Sequence, residues 1–458
     1  MKGIIPITTN INSDKRVWIY PKLIKGKLYQ YRNLASYVLL ITLFATPFIH
    51  VNGEQLVLFN VLERKFVIFG VLFMPQDFYL FVFALLSFIV FIVLFTAVFG
   101  RVWCGWACPQ TIFMEMVFRK IEYWIEGDAR KQTELNAAPL SAAKIFKKTL
   151  KHSIFVLISF FIANIFLAYI IGSDVLIKII TAPVQQHLSG FLAICIFTAV
   201  FYLVFARLRE LVCTVICPYG RLQEVLLDRK SLVVAYDYNR GEPRGHIQKD
   251  AESSLGDCVD CGLCVQVCPT GIDIRKGTQM ECINCTACID ACDMVMEKTH
   301  RPLRLIGFKS EEQIMGSQTF MFSKRVYAYA VIMVLLFSTL TTLLASRSDI
   351  AITVLRAGGT LYQIREDGTV SNLYNAELIN KTSGPIDFDI QMPDKETTIQ
   401  YINKANKIQR GESVKLTFFL IRPQHHVSEY KSALSLGIMS EGKVISKAKT
   451  TFIAPPNP

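Results

Sequence analysis

Charged side chains are absent from five long windows of this chain. Asn33–Gly53, Phe78–Gly100, His152–Ser173, Ile179–Ala206 and Val326–Ser346 run 21, 23, 22, 28 and 21 residues without Asp, Glu, Lys or Arg. About 20 apolar residues cross the bilayer core as a helix, so the pattern predicts a bundle of five transmembrane helices. A sixth apolar run, Phe66–Gln76, has 11 residues, too few to cross, and reads as an interfacial segment. No small-residue cleavage site follows the first window, so it reads as a retained anchor, not a cleaved signal peptide.

Beyond the fifth window the period shortens. "ITVLRAG", "GTLYQIRE", "IDFDIQM", "SVKLTFFLI" and "VISKAKTTF" are rich in β-branched and aromatic residues, several with alternation of two. Turn signals separate them at Asp367-Gly368, Gly384-Pro385, Gly411, Arg422-Pro423 and Glu441-Gly442. This predicts an all-β immunoglobulin-like sandwich over residues 350–458. With no cysteine and no catalytic constellation, the sandwich reads as a docking module.

Composition agrees with a membrane protein: 52% of residues are hydrophobic and 19% charged. Lys and Arg number 7 before the first window, 9 between the second and third, and 16 between the fourth and fifth, against 2 and 1 in the intervening loops. Basic loops stay in the cytoplasm, which puts the N-terminus inside and residues 347–458 outside. The net charge of +12 follows from these loops and calls for no nucleic acid.

Thirteen cysteines are present, and all but Cys195, a residue within a span, fall in the two large cytoplasmic loops. A disulfide protein would place them on the oxidising side, so these are reduced thiols suited to metal. Cys258, Cys261, Cys264 and Cys268 form one C-x2-C-x2-C-x3-C run, and Cys282, Cys285, Cys288 and Cys292 a second. Zinc favours well-separated C-x2-C pairs. Gly256–Met296 instead resembles the bacterial two-cluster ferredoxin domain, in which the last cysteine of each run ligates the other cluster. The resemblance implies one [4Fe–4S] cluster on Cys258, Cys261, Cys264 and Cys292, and another on Cys282, Cys285, Cys288 and Cys268. The second run ends in Cys292-Asp293 without the usual proline, which implies a shifted potential or local geometry. Gly262, Gly271 and Gly277 suit tight turns that bring N–H groups to the sulfurs. "GEPRGH", Gly241–His246, reads as the linker into this insert.

Two more pairs form an internal repeat. "RVWCGWACPQTIFMEMVFRK" follows the second window and "RELVCTVICPYGRLQEVLLDR" follows the fourth. Offset by 109 residues, Cys104 aligns with Cys213, Cys108 with Cys217, Pro109 with Pro218, and Glu115 with Glu224. A C-x3-C spacing predicts both sulfurs on one helical face, one turn apart, with the proline starting the next helix. If the halves pack about a pseudo-twofold axis, four thiols converge at one site, fit for copper(I), zinc or a further iron–sulfur cluster. Trp103 and Trp106 match an interfacial aromatic belt. His50, His152 and His187 lie at ends of spans as interfacial residues. His425-His426 reads as a solvated loop, and Met114 and Met116 as packing.

The whole is thus a multi-domain integral membrane protein: a cytoplasmic tail (1–35), a four-span region with two C-x3-C-P motifs (36–240), a ferredoxin domain (241–310), a fifth transmembrane helix (326–346) and an exported immunoglobulin-like domain (350–458). This arrangement resembles the FixG/CcoG family, the cytochrome c oxidase accessory proteins of bacteria, which are membrane polyferredoxins. The resemblance implies the bacterial inner membrane and a role in assembling the cbb-type oxidase, through reduction of copper(II) to copper(I) before insertion. Its partners would be oxidase subunits or copper-delivery proteins. On this reading Cys104, Cys108, Cys213 and Cys217 are the catalytic set, holding copper or a further cluster, and the eight ferredoxin cysteines supply electrons. Two other readings stand beside it: a quinol-linked electron conduit, and a non-enzymatic assembly scaffold. No span carries the Cys-Pro-Cys or Met-rich stripe of a copper transporter, and no G-x-G-x-x-G follows a strand, so no nucleotide site is expected for the electron donor.

Overall fold

The computed structural model describes residues 18–51, 53–246, 255–316, 322–348, 350–382, 384–392, 394, 396–426, 429–440 and 442–455. Part of the expected N-terminal tail (1–17) and part of the expected ferredoxin insert (247–254) lie outside these residues, as do the side chains of Glu224 and His426. The chain forms two compact units, residues 1–47 with 84–338 and residues 48–83 with 339–458.

Among the described residues four helices are long and apolar enough to cross a membrane: Phe78–Phe99, Ala142–Ile171, Leu188–Leu208 and Lys324–Ala345. In the last of these none of the apolar window is buried. Exposed apolar surface on that scale needs lipid around it, so the chain is a membrane protein. The helix Lys27–Ala45 has 19 residues and is not among the four. Its charge-free part begins at Asn33 and stops before Pro47, about 20 Å of helix against a core of about 30 Å. Proline ends it because the ring excludes a helical N–H bond.

In the first unit, Ser141 caps the helix Ala142–Ile171 by accepting from the Lys144 N–H, and Gly172 (φ +90°) closes it. That helix packs on Leu188–Leu203. At the core, the rings of Phe118 and Phe155 lie 4.7 Å apart edge to face, and Phe118 stacks on Phe205 at 4.6 Å. Three π-helical turns interrupt the helices at Phe113–Phe118, Val204–Leu208 and Val212–Ile216, all within ten residues of a C-x3-C-P cysteine. Such widened turns gather at functional sites. The insert is framed by an antiparallel strand pair, Val233–Tyr236 with Ile306–Lys309, and by the helices Leu263–Gln266 and Ala287–Lys298.

In the second unit, one sheet orders Thr398–Asn403, Ser413–Pro423, Thr369–Asn380 and Ile350–Arg356, and another orders Asp389–Gln391, Lys431–Ser440 and Lys443–Ile453. Tyr374, Leu378, Phe418, Leu420, Leu436, Ile438 and Phe452 fill the space between them. The longest strand, Thr369–Asn380, and its register with Ser413–Pro423 are not foreseen by the sequence pattern. Its asparagines are poor strand formers. Their side chains, however, bind backbone: the Asn372 amide donates to Ile453 O at 2.7 Å and Asn380 to Ile408 O at 3.1 Å.

The run Phe66–Gln76 is not an interfacial segment of its own. Lys65–Ile68 and Val71–Phe73 are strands of a three-stranded sheet with Val57–Asn60, and Val67 and Leu72 are its buried centre. Period two overrides the run of apolar residues here because only alternate side chains are buried. Asp77 at its end is buried and pairs with Arg347 at 3.0 Å and with Lys381.

Candidate iron–sulfur and thiol site

Around the insert the sulfurs fall into two groups. Cys258, Cys261, Cys264 and Cys292 line one cavity of about 370 Å³, and Cys268, Cys282, Cys285 and Cys288 line a second of about 340 Å³ that Cys264 also borders. The last cysteine of each run therefore faces the cavity of the other run. The loops that do this repeat each other. Asp260 and Asn284, each just before the second cysteine, take left-handed backbone (φ +48° and +51°), as do Gly262 and Thr286 just after it (φ +66° and +65°). A β-branched residue pays about 1–3 kcal/mol for that conformation. Thr286 accepts the cost where Gly262 avoids it.

Burial raises the thiols. Cys264 and Cys282 are pushed up to about 12, Cys285 to about 11, and Cys292 to about 12, in each case chiefly by loss of water. Ordinary cysteines titrate near 8.5. Thiolates at these positions need a cation to offset them, and iron does so on binding. Among the described residues no three His, Cys, Asp or Glu side chains lie close enough to share a single metal ion. A single tetrahedral zinc draws its donors to about 2.3 Å from itself, whereas a cubane holds its thiolates farther apart, at its corners. Buried donors with no partner lie near Cys282: Nδ2 of Asn284, whose Oδ1 is 3.5 Å from the Cys282 sulfur, and Arg101 Nη1, as an anionic cluster would use. The residues fit two [4Fe–4S] clusters.

The second thiol group corrects one expectation. Cys104 and Cys108 do not share a helical face: the helix Val102–Trp106 stops between them, and Cys108 is extended (ψ 124°) ahead of the helix Pro109–Ile112. Cys213 lies in the π turn Val212–Ile216, and Cys217 is extended (ψ 112°) ahead of Pro218. Proline disfavours helical backbone in the residue before it, and both motifs break in the same place. The repeat thus survives in the structure, with each pair straddling a helix break. The two pairs feel each other: burial pushes Cys104 up to about 11 and Cys213 up to about 12, and charge on the cysteines of the other motif adds to each rise. Cys195 lies in the helix Leu188–Leu203 with its side chain exposed.

Several residues that join these parts were not legible as site residues. Gly105, between the first two cysteines, rests on the second cluster loop. A Cβ there would lie 2.4 Å from Ile283 O and 2.9 Å from Cys285 Cα. Arg32 Nε donates to Gly105 O at 2.8 Å. Arg101 Nε donates to Gln223 Oε1 at 2.7 Å, and the Cys104 thiol reaches the same oxygen at 3.4 Å. Arg119, 1% exposed, pairs with Glu115 at 3.0 Å and Glu210 at 3.7 Å, and donates to Pro269 O, beside Cys268, at 3.3 Å. Arg209 (φ +52°) holds Glu122 through two bonds of 2.9 and 3.0 Å. The available signal was that an arginine opens each repeat, Arg101 and Arg209, at the apolar edge of a span, where a buried cation needs a partner. Of the weaker candidates, His152 Nδ1 lies 3.0 Å from the Tyr202 hydroxyl, and His50 Nδ1 3.2 Å from Phe48 O. Met114 and Met116 are buried.

Comparison with known proteins gives the same parts. A 4Fe-4S dicluster domain model matches residues 208–311, a 4Fe-4S binding domain model matches residues 81–131, and a model for the IG-like fold at the C-terminus of FixG matches residues 340–455. Protein RdxA of Cereibacter sphaeroides is 34% identical over 382 residues, 80% of each chain. Protein RdxB of the same organism is 32% identical over 398 residues, 82% of each chain. Nitrogen fixation protein FixG of Rhizobium meliloti is 38% identical over 304 residues, 64% of this chain and 57% of the relative. With its apolar helices, two [4Fe–4S] clusters and immunoglobulin-like domain, the chain belongs to the FixG family of membrane iron–sulfur proteins of the oxidoreductase type.

Proposed function

We propose that the chain reduces copper(II) to copper(I) at Cys104, Cys108, Cys213 and Cys217, and so assists assembly of the cbb-type cytochrome c oxidase. Bound clusters supply reversible one-electron transfer, and cupric reduction consumes one electron per ion. Cys258, Cys261, Cys264 and Cys292 would hold one cluster, and Cys282, Cys285, Cys288 and Cys268 the other. The observation that carries the reading is the close seat of Gly105 on Ile283 and Cys285. It sets the paired thiols against the loop of the second cluster. Thiolates favour copper(I) over copper(II), so the thiols stabilise the product of the reduction. The partners would be oxidase subunits or copper-delivery proteins.

Membership of the FixG family supports placement in the inner membrane, and loop charge supports an orientation with the N-terminus and ferredoxin domain cytoplasmic and the immunoglobulin-like domain periplasmic. The helix Lys27–Ala45 would be the fifth span, since its full 19 residues measure about 28 Å. Residues 48–83 form one compact unit with residues 339–458, which supports a common side for both and a crossing ahead of residue 48.

The test is to reduce the anaerobic chain with dithionite, remove excess reductant, add one equivalent of copper(II), and follow cluster bleaching with copper EPR. Reoxidation matched by loss of the copper(II) signal, and blunted in Cys104→Ser/Cys213→Ser, is expected. Reduced clusters beside persistent copper(II) would sink the reading. The match of the 4Fe-4S binding domain model to residues 81–131 favours a second reading, a third cluster on the same four thiols. An iron count near twelve instead of eight would establish it.

A further inference from the structure

An open groove runs along the helix Ala142–Ile171, with Thr198 on its far wall. Its first part is polar, with Lys148 and His152. Val156, Leu157 and Phe160 continue it along the helix and are exposed. A groove with a polar head and an apolar continuation, on a membrane-facing helix, suits a lipid-soluble molecule with a polar ring.

The chemistry of the polar end narrows the ligand. The nearby buried carboxylates are committed to cations: Glu126 pairs with Lys148 and Lys151, each at 2.9 Å, and Glu122 with Arg209. His152 is the group able to take a proton in the groove. The Tyr202 hydroxyl lies at its Nδ1, which leaves Nε2 as the acceptor when Nδ1 carries the proton. From His152 packed groups lead toward Cys268, a sulfur that lines the second cavity. Its ring lies 6.2 Å from Phe155, Phe155 lies 4.7 Å from Phe118, and the next residue, Arg119, donates to Pro269 O beside Cys268.

Resting on the electron-transfer reading above, we infer that this groove binds a membrane hydroquinone, its ring hydroxyl on His152 and its tail along Val156, Leu157 and Phe160. Oxidation to the quinone breaks two O–H bonds and releases two protons and two electrons. The electrons match two one-electron acceptors. The first proton goes to His152 Nε2 and from there to water at the polar end of the groove, beside Lys148. The second follows by the same route once His152 is neutral again.

The full chain in lipid nanodiscs is exposed to a photoreactive azido-ubiquinone, and the labelled peptides are identified by mass spectrometry. Saturable labelling of residues 148–160 is expected, abolished in Ser153→Trp, which fills the groove, and reduced about tenfold in His152→Ala (about 1.4 kcal/mol), with iron content unchanged in both. Labelling spread evenly over the apolar helices, or equal in both variants and the parent, overturns the inference. Copper reduction fed by dithionite bypasses the groove. Loss of that activity counts against the proposed function, and loss of specific labelling counts against this site alone.

Discussion

Gly105→Ala isolates the contact on which the proposed function depends. Inside a helix, alanine is favoured over glycine by about 1 kcal/mol, so without a tertiary constraint the substitution would stabilise the helix Val102–Trp106. The added Cβ, however, would fall 2.4 Å from Ile283 O, 2.9 Å from Cys285 Cα and 3.0 Å from Cys285 N. The first contact is about 1 Å short of the 3.4 Å at which ordinary packing begins. All three atoms are backbone of a strained cluster loop, so no rotamer change relieves them. Overpacking of this kind costs about 1–3 kcal/mol, enough to reverse the propensity gain. The loop and the thiol motif must therefore part. Gly316 closes the helix Glu311–Gly316 with nothing within 4 Å of its added Cβ, and Gly316→Ala serves as the control. Thermal unfolding in detergent, followed at the cluster absorbance, should show Gly105→Ala destabilised and Gly316→Ala unchanged or slightly stabilised. Copper reduction by the dithionite-loaded chain should slow in the first variant only. A Gly105→Ala protein as stable and as fast as the parent would refute the reasoning, since its motif would then not be pressed on the cluster loop.

Cys292→Ser should remove the cluster whose other sulfurs are Cys258, Cys261 and Cys264, and Cys268→Ser the cluster on the second run. EPR of the remaining cluster distinguishes them, and the opposite assignment would reject the crossed ligation. Asp77→Asn leaves Lys381 and Arg347 without their carboxylate in a buried place. Breaking a buried pair this way costs about 3–5 kcal/mol, so the immunoglobulin-like domain should unfold at lower denaturant and be cut sooner by trypsin. Glu126 is pushed upward by burial, but Lys148 and Lys151 outweigh this and hold its carboxyl below the usual carboxylate range. A depressed value stabilises the fold above about pH 4.3 and that stability is lost as pH falls further. Unfolding measured from pH 7 down to 3 should be steeper in the parent than in Glu126→Gln, and equal slopes would show that the pair contributes nothing.

The parts of the site that local spacing controls were legible in the sequence. Two-residue gaps between cysteines fix short loops, and Cys258–Cys268 and Cys282–Cys292 do surround two cavities. The repeat also shows through, because a proline after each second cysteine acts on the backbone directly. The same proline explains why the expected shared helical face failed at Cys108 and Cys217. What spacing does not control stayed hidden. Arg119 meets Pro269 across 150 residues and Arg209 meets Glu122 across 87, and no periodicity announces a contact at such range. A window without charge also misled at Phe66–Gln76, where alternate burial makes strands of residues that hydropathy alone cannot assign.

Cys264 borders both cavities, and each run ends in a sulfur that faces the cavity of the other. Each loop therefore leans on the metal of its neighbour. With one cluster missing, the other keeps its sulfurs but holds one of them on a loop without its own anchor, so losing either cluster loosens the one that stays.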